Sequence, residues 1–444
     1  CIEFVAVWFG ILKIGAVVTM VNTILPAADY EYYLNYTRAK VVVVHESVLS
    51  RVEEVRDRAP HLKTMIVVGK NDGKNPSYEN LMAGASPSLE NADTHRDDIA
   101  IWLFTSGTTG KPKGAVHFHH DFAYNTECYA KQIMQIRESD ITLSVPKLFF
   151  GYATGTNLMF PFAVGAATAL FEERSTADTL FAMIRKYKPT VLTTVPTLIN
   201  AMLEHEEAES QDLSCLRLAV TAGEALPPEL YHRWKRAFGV ELLDGIGSAE
   251  LFHIYISNRI DDIKPGSLGK VVPGYEAKIV GPDGAEAPEG EIGTLWVKGD
   301  SAAVYYWQAH EKSKEVLRGD WVVSADLFSR DADGYFWYAG RADDMLKVSG
   351  IFVSPLEIEN CLLQHPAVRD VCVIGHTDRD GLVKTKAFVV LHERYTAGET
   401  MIEELKIHTK ERLAPYKYPR IFEFVPDLPR NDRGKVERQK LRDR

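Results

Sequence analysis

Ten consecutive residues, Thr105-Ser106-Gly107-Thr108-Thr109-Gly110-Lys111-Pro112-Lys113-Gly114, follow the apolar run Ile-Ala-Ile-Trp-Leu-Phe directly. Hydroxyls, glycines and two lysines concentrated in a strand-terminal loop suit a polyphosphate. Glycines let backbone N–H groups converge, hydroxyls donate, and ammonium groups offset charge. The stretch is not a GxxxxGK[ST] loop. Counting from Gly107, Pro112 stands at the second glycine and Gly114 at the Mg²⁺ hydroxyl. A shorter Gly/Thr run would read as a solvated turn; ten such residues in this order argue for a binding loop.

The elements that must position this loop fall into three textures. Between residues 38 and about 270, β-branched runs at 41–44, 65–68, 99–104, 141–145, 167–171, 191–195, 216–221 and 240–243 alternate with helical patterns. That alternation predicts largely parallel sheets wrapped by helices. From about 265 to 340, turn dipeptides in KPGSLGKVVPG, VGPDGAEAPEGEIG and RDADGYFW predict antiparallel hairpins. Beyond Arg341, Ser354-Pro355-Leu356-Glu357 is a capping box opening a helix that stops before Pro366. Strands at 368–374 and 387–391 and a helix at 401–413 complete a small α+β module. The predicted fold class is therefore α/β, with a large domain over 1–341, its β-rich subdomain over about 265–340, and a separate carboxy-terminal domain over 342–444.

Composition narrows the function classes. The chain has 444 residues, 45% hydrophobic and 25% charged, with a formal net charge of −10, so no broad electrostatic footprint for nucleic acid or an anionic membrane is expected. No apolar run approaches the roughly 20 residues of a membrane-spanning helix. Five widely spaced cysteines without a CxxC pair exclude a disulfide framework or structural zinc site and favour a reducing cytoplasm. Cys1 opens directly into the helical pattern IEFVAVWFGILKIGAVV, so the chain is expected to begin in mid-fold, as an amino-terminally truncated fragment.

The loop TSGTTGKPKG resembles the signature of the adenylate-forming superfamily of acyl- and aryl-CoA synthetases, luciferases and peptide-synthetase adenylation domains. The other motifs of that superfamily follow in order. GEALP (Gly223 to Pro227) resembles the adenine-side loop, with Gly223 and Glu224 as nucleotide contacts. DGIGSAE resembles the segment in which Asp244, Gly245, Ile246 and Gly247 line the nucleotide and Glu250 helps to hold Mg²⁺. SAD and the arginine of GRADDMLKVSG look like the ribose-binding Asp326 with Arg341 flanking it, Asp343 like the interdomain hinge, and LPRNDRGK like the loop of the catalytic Lys435. Within the superfamily, VPKLFFGYATGTNLMFPFAVGA, LLDGIGSAELFHIY and YFWYAGRADDMLKVSGIFVSPLEIE are most similar to the benzoate-CoA and hydroxybenzoate-CoA ligase branch.

The resemblance implies two half-reactions. A carboxylate attacks the α-phosphorus of ATP, giving acyl-AMP and pyrophosphate; the thiol of coenzyme A then displaces AMP. Positioning and charge neutralisation carry such chemistry. Lys435 would bridge carboxylate and α-phosphate. Thr105, Ser106, Gly107, Thr108, Thr109 and Lys113 would cradle the phosphates, and one acid suffices for Mg²⁺, with Thr105 or Thr108 as oxygen neighbour. Phe149, Gly151, Tyr152, Ile246 and His253 would wall the acid pocket, although His253 fits a satisfied core histidine slightly better. Ser349 and Gly350 would line the pantetheine tunnel; Tyr416 and Lys417 are weaker candidates for coenzyme A.

Three positions depart from the pattern. Ala249 replaces a threonine, which removes a phosphate hydroxyl worth about 1.5–3 kcal/mol. Ala325 replaces a glycine, a serious change if that glycine needs φ > 0. Asn431 replaces a threonine beside Lys435. Two competing readings therefore stay open: an adenylation domain that loads a carrier protein, and a nucleotide-binding chain with impaired catalysis. LAPYKYPR looks like the CoA-ligase version.

Overall fold

The computed structural model describes residues 1–105, 111–341, 346–348, 351–377, 383–414, 417–430 and 436–442. Its central sheet has seven strands. Five are parallel, in the spatial order Glu241–Gly247, Leu218–Ala222, Val191–Thr194, Ile141–Ser144 and Ala167–Ala169; antiparallel Ile254–Ser257 and Lys270–Val271 extend one edge. Alternate residues on these strands face different cores. Val191, Leu218, Val220 and Leu243 join one apolar cluster, while Leu192, Ala219 and Leu242 join another. The second is closed by helices Ala177–Tyr187, Pro196–Leu203 and Pro228–Phe238, through Leu180, Ile184, Ile199, Met202, Leu230 and Trp234. Burial on both faces accounts for the uninterrupted apolar runs in the sequence.

Not every strand of the first texture joins this sheet. Val41–His45 and Thr64–Val68 form their own parallel pair. Ile99–Phe104, expected within the parallel series, pairs antiparallel with Gly114–Phe118 and parallel with the short Val18–Thr19. The connection it makes is thus a hairpin rather than a strand-to-helix crossover. An apolar run does not reveal strand direction, which accounts for the difference.

The hairpin texture folds as anticipated. Glu276–Val280, Gly293–Lys298, Trp321–Arg330, Leu317–Arg318 and Phe336–Arg341 form an all-antiparallel sheet. Beyond it lies a small carboxy-terminal domain with its own core. Val368–Thr377 pairs antiparallel with Val383–Leu391, which pairs parallel with Ile421–Phe424. Helices Pro355–Leu363 and Glu399–Arg412 cover this sheet through Ile358, Leu362, Met401 and Leu405. Ser354 caps the first of them by accepting from the Glu357 N–H, and its hydroxyl also donates to the Ala339 carbonyl.

One buried ion pair fixes the end of the central sheet opposite the candidate site. Asp140 accepts from Arg217 Nε at 2.8 Å, Thr190 Oγ1 at 2.7 Å and the Arg137 N–H at 2.8 Å. Burial alone would raise its pKa, but the bonds from Arg217 and Thr190 hold it net below the usual carboxylate value. A depressed acid stabilises above its unfolded pKa and ceases to do so as pH falls through its folded one. Asp140→Ala is expected to cost about 3–5 kcal/mol in urea unfolding at pH 7, because Arg217 loses its buried partner. The deficit should narrow below about pH 4.

Candidate active site

The phosphate-loop hairpin closes where the Thr105 N–H donates to the Lys113 carbonyl at 2.9 Å. Ser106, Gly107, Thr108 and Thr109, named above as phosphate contacts, lie outside the described residues. The returning limb is clamped by aromatic side chains. Tyr32 donates its hydroxyl to the Pro112 carbonyl at 2.6 Å, and the Lys111 ammonium lies 4.8 Å above the Tyr32 ring. The Gly114 N–H donates to the Tyr36 hydroxyl at 3.3 Å, and that hydroxyl donates to the Trp307 carbonyl. Trp307 in turn stacks on Trp102 with centroids 4.6 Å apart.

The segment from Ala303 to Trp307 joins this hairpin to Glu250. Val304 N–H donates to the Val116 carbonyl at 2.9 Å, Val116 N–H to the Tyr305 carbonyl at 3.0 Å, and Trp307 N–H to the Gly114 carbonyl at 2.9 Å. On its other side the Ala303 N–H donates to the Glu250 carbonyl at 2.7 Å, and the Tyr306 hydroxyl donates to Glu250 Oε1 at 2.6 Å. Burial and the Glu250 carboxylate push the Tyr306 hydroxyl far above its ordinary pKa, so it stays a donor. Among the described residues nothing donates to Glu250 Oε2. A half-buried carboxylate oxygen and the Thr105 hydroxyl are hard oxygen donors of the kind Mg²⁺ takes, and the site fits that ion.

The ribose candidates also come together. Asp326 and Arg341 stand directly opposite on paired strands, with Arg341 Nη1 at 3.8 Å from Asp326 Oδ1 and the Tyr338 hydroxyl at 3.5 Å from the same oxygen. The buried Tyr255 lies within electrostatic reach of both acids: burial first, then the Asp326 and Glu250 carboxylates, push its hydroxyl up. Two acids distant in sequence therefore flank one tyrosine. Ala325 sits in ordinary strand backbone outside the positive-φ residues, with its side chain exposed, so the loss of glycine there carries no strain.

On the nucleotide side, Gly223 has φ +89°, a conformation that a side chain would strain. The Glu224 carboxylate is engaged by Thr197, whose N–H and hydroxyl donate at 3.0 and 2.7 Å. Gly245 and Gly247 leave no room for a side chain: a Cβ would fall 2.8 Å from the Ile256 carbonyl oxygen and 2.5 Å from that of His253. Asp244 is buried and receives the Gly245 N–H at 3.0 Å, yet desolvation lifts its pKa well above the carboxylate range.

The acid-pocket candidates converge on His253. Its ring centroid lies 5.5 Å from Tyr152, 5.3 Å from Tyr129 and 4.7 Å from Phe160. Gly155 makes this possible, since a Cβ there would meet the imidazole at 2.4 Å. Burial lowers the His253 pKa to about 4, so the ring is neutral near pH 7 and its Nε2–H donates to the Tyr152 carbonyl at 3.1 Å. His253 Nδ1 and the Tyr152 hydroxyl are buried without a hydrogen-bond partner among the described residues. A Cβ at Gly151 would meet Leu103 of the phosphate-loop strand at 3.3 Å and the Phe252 carbonyl at 3.8 Å, while Phe149 and Ile246 pack against the neighbouring core.

Asp343, Ser349, Gly350, Tyr416 and Lys435 lie outside the described residues. The Lys417 ammonium is held by Glu357 at 2.6 Å. Both sides of residues 431–435 are tied to the small domain. Arg430 pairs with Asp370 at 2.6 Å, and Arg438 grips Glu359 through both guanidinium nitrogens at 2.7 and 2.9 Å. Sequence reasoning missed Tyr306, Tyr32, Tyr36 and the His117–Asp121 pair. Only the last carried a signal, the unusual His-Phe-His-His-Asp run.

Comparison with known proteins settles the family. The model of the AMP-binding enzyme family matches residues 1–307, and that of the AMP-binding enzyme C-terminal domain matches residues 357–435. The chain belongs to the AMP-binding enzyme family. Among its relatives, a benzoate–CoA ligase of Thauera aromatica is 44% identical over 99% of this chain and 84% of its own length. A 4-hydroxybenzoate–CoA/benzoate–CoA ligase of Rhodopseudomonas palustris is 39% identical over 100% of this chain and 82% of its own. The fold superposes on an anthranilate CoA ligase in complex with anthranoyl-AMP, with TM-score 0.95, 43% identity and coverage of 100% and 85%. It also superposes on a benzoate CoA ligase from Burkholderia xenovorans LB400, with TM-score 0.90, 43% identity and coverage of 98% and 86%. The AMP-binding fold thus accounts for the large and small domains together.

Two outcomes follow from the site geometry. Tyr306→Phe removes only the hydroxyl on Glu250. It should slow acyl-AMP formation about tenfold with little change in melting temperature, in keeping with a charged hydrogen bond of about 1.5 kcal/mol. Asp244 titrates in the opposite sense to Asp140. Its raised pKa means that the folded state keeps a proton the unfolded chain loses, so wild-type stability falls as pH rises from about 4 through the folded pKa. Asp244→Asn removes that penalty, and the variant should gain on wild type between pH 5 and pH 8 in thermal melts.

Proposed function

We propose that the chain activates an aromatic carboxylic acid with ATP, forming the acyl-AMP and pyrophosphate, and then transfers the acyl group to coenzyme A with release of AMP. The observation that carries this reading is the Ala303–Trp307 segment. It joins the phosphate-loop hairpin to Glu250, while Tyr255 lies within electrostatic reach of both Glu250 and Asp326. Benzoate- and anthranilate-CoA ligases among the relatives support an aryl acid.

In this reading Lys113 and the loop 105–109 take the phosphates, Asp326 accepts from the ribose hydroxyls, and Gly223 and the 244–247 strand border the adenine. Glu250, with Thr105, would hold Mg²⁺, which supplies charge neutralisation to the triphosphate when bound. A flat ring lies among Phe149, Gly151, Tyr152 and Ile246, and the unpartnered His253 Nδ1 offers an acceptor to a hydroxyl or amino substituent. Lys435 donates to the shared oxygen environment of carboxylate and α-phosphate; its ammonium is a point charge suited to that centre. The domain over 342–444 turns at Asp343 between half-reactions, bringing Ser349 and Gly350 to the thiol arm. We place the reaction in the cytoplasm, in keeping with five cysteines that form no disulfide; no helix among the described residues is long and apolar enough to cross a membrane.

The test is AMP release, dependent on ATP and coenzyme A, over benzoate, hydroxybenzoates, aminobenzoates and short aliphatic acids. Aromatic acids should exceed aliphatic ones by about a hundredfold in kcat/KM. Preference for an aliphatic acid would overturn the reading. Lys435→Ala should abolish acyl-AMP formation while sparing thioester formation from supplied acyl-AMP; equal loss of both would remove the assigned role.

A further inference from the structure

The turn that carries Glu250 is strained and gripped from behind. Phe252 adopts φ 69°, a conformation that costs a bulky residue energy and persists only where its surroundings impose it. Two neighbours impose it. The Phe252 ring meets the His117 ring edge-on at 5.1 Å and the Phe122 ring at 5.4 Å. His117 also holds the other end of the turn, with Nε2 2.6 Å from the Ala249 carbonyl oxygen.

His117 and Asp121 are fully enclosed, at 0% and 1% exposure, and bonded Nδ1 to Oδ2 at 2.7 Å. A carbonyl only accepts, so Nε2 carries a proton. Asp121 Oδ2 also accepts the Phe118 N–H at 3.2 Å, which holds it in place against Nδ1. The second Asp121 oxygen has no hydrogen-bond partner among the described residues: His120 Nε2, 3.0 Å away, donates instead to the Asp300 carbonyl at 2.9 Å. His117 Nε2 therefore donates to Ala249, and a second proton lies on the bond between Nδ1 and Asp121 Oδ2. We infer that His117 and Asp121 form a positioning pair: Asp121 fixes the imidazole as a donor toward Ala249, and this presents the Glu250 carboxylate to the metal–ATP complex. The inference rests on the reading of Glu250 as the metal ligand.

Asp121→Asn tests it with almost no change in shape. The Phe118 N–H keeps the amide oxygen in the Oδ2 position, so it takes Nδ1–H. A neutral imidazole then turns a bare Nε2 toward the Ala249 carbonyl, oxygen and lone pair opposed. The readout is Mn²⁺ binding to the complex of enzyme and α,β-methylene-ATP, followed by loss of the free Mn²⁺ electron paramagnetic resonance signal. Affinity should fall about tenfold or more, as for other losses behind a metal ligand. Thioester formation from supplied acyl-AMP should stay within about twofold.

His117→Gln supplies a rescue, because its amide N–H reaches Ala249 without a tautomer to set. It should hold Mn²⁺ affinity within about threefold, also in the Asp121→Asn background. If Asp121→Asn does not fold, His117→Gln and His117→Leu make the same comparison, and only the leucine should weaken Mn²⁺. Unchanged Mn²⁺ affinity in Asp121→Asn, or equal loss of both half-reactions, overturns the positioning role. Glu250→Gln separates the two claims. If it binds Mn²⁺ normally, the metal reading falls and the inference with it; if it is weakened while Asp121→Asn is not, only the positioning role fails.

Discussion

The hydrogen bond from Tyr306 to Glu250 is the contact on which the site's geometry depends. It joins parts of the chain that share no secondary structure: the turn before the Ile254–Ser257 strand and the segment running beside the phosphate-loop hairpin. Remove it, and the turn of the carboxylate is tied to the hairpin by the Ala303 N–H on the Glu250 carbonyl and by His117 on the Ala249 carbonyl. The hydroxyl is reliable as a donor because burial beside an acid disfavours its ionisation. One oxygen of Glu250 is thereby fixed, and nothing among the described residues donates to the other.

The surrounding architecture shows how a chain of net charge −10 can work on anionic substrates. Cationic groups at the site are few and local. Lys111 is committed to the Tyr32 face, whereas Lys113 follows the clamped Pro112. The loop is held by aromatic hydroxyls and stacking, and among the described residues no acid pairs with Lys111 or Lys113. The contrast with Asp140–Arg217 at the far end of the sheet is instructive: there charges are neutralised in place, and the result is rigidity rather than binding.

Much of this was legible in the sequence, for physical reasons that differ by element. The parallel strands announced themselves because both faces are buried, so Val191–Thr194 and Leu218–Ala222 had to be apolar throughout. The helix at Pro355 was legible because a capping box is a local code, and Ser354 makes the bond that code specifies. Partnership was not legible. Ile99–Phe104 pairs antiparallel because of the hairpin that follows it, and nothing in six apolar residues shows that. Likewise Ala325, suspicious by type, is harmless in place, while Tyr306 and His117 gain their importance from residues 56 and 132 positions away.

The small domain supplies the last constraint. Its core, from Leu346 to Leu441, is its own, so the rotation proposed above would not require it to be repacked. What must not change is the relation of the Lys435 loop to that core. Both flanks of residues 431–435 end in ion pairs with acids on the domain's own sheet and helix, Asp370 and Glu359. The Arg438 guanidinium also donates to the Val373 carbonyl, and Glu359 accepts the Val373 N–H, so the second pair is embedded in the sheet edge. Buried pairs of this kind add little net stability compared with apolar packing, but they enforce geometry, because breaking one leaves a charge stranded. In the proposed reaction the lysine must reach the α-phosphate for one half-reaction and leave for the other. In that proposal the ion pairs on either side of it make the lysine travel with its domain, so that one rotation would both withdraw the charge and admit the thiol.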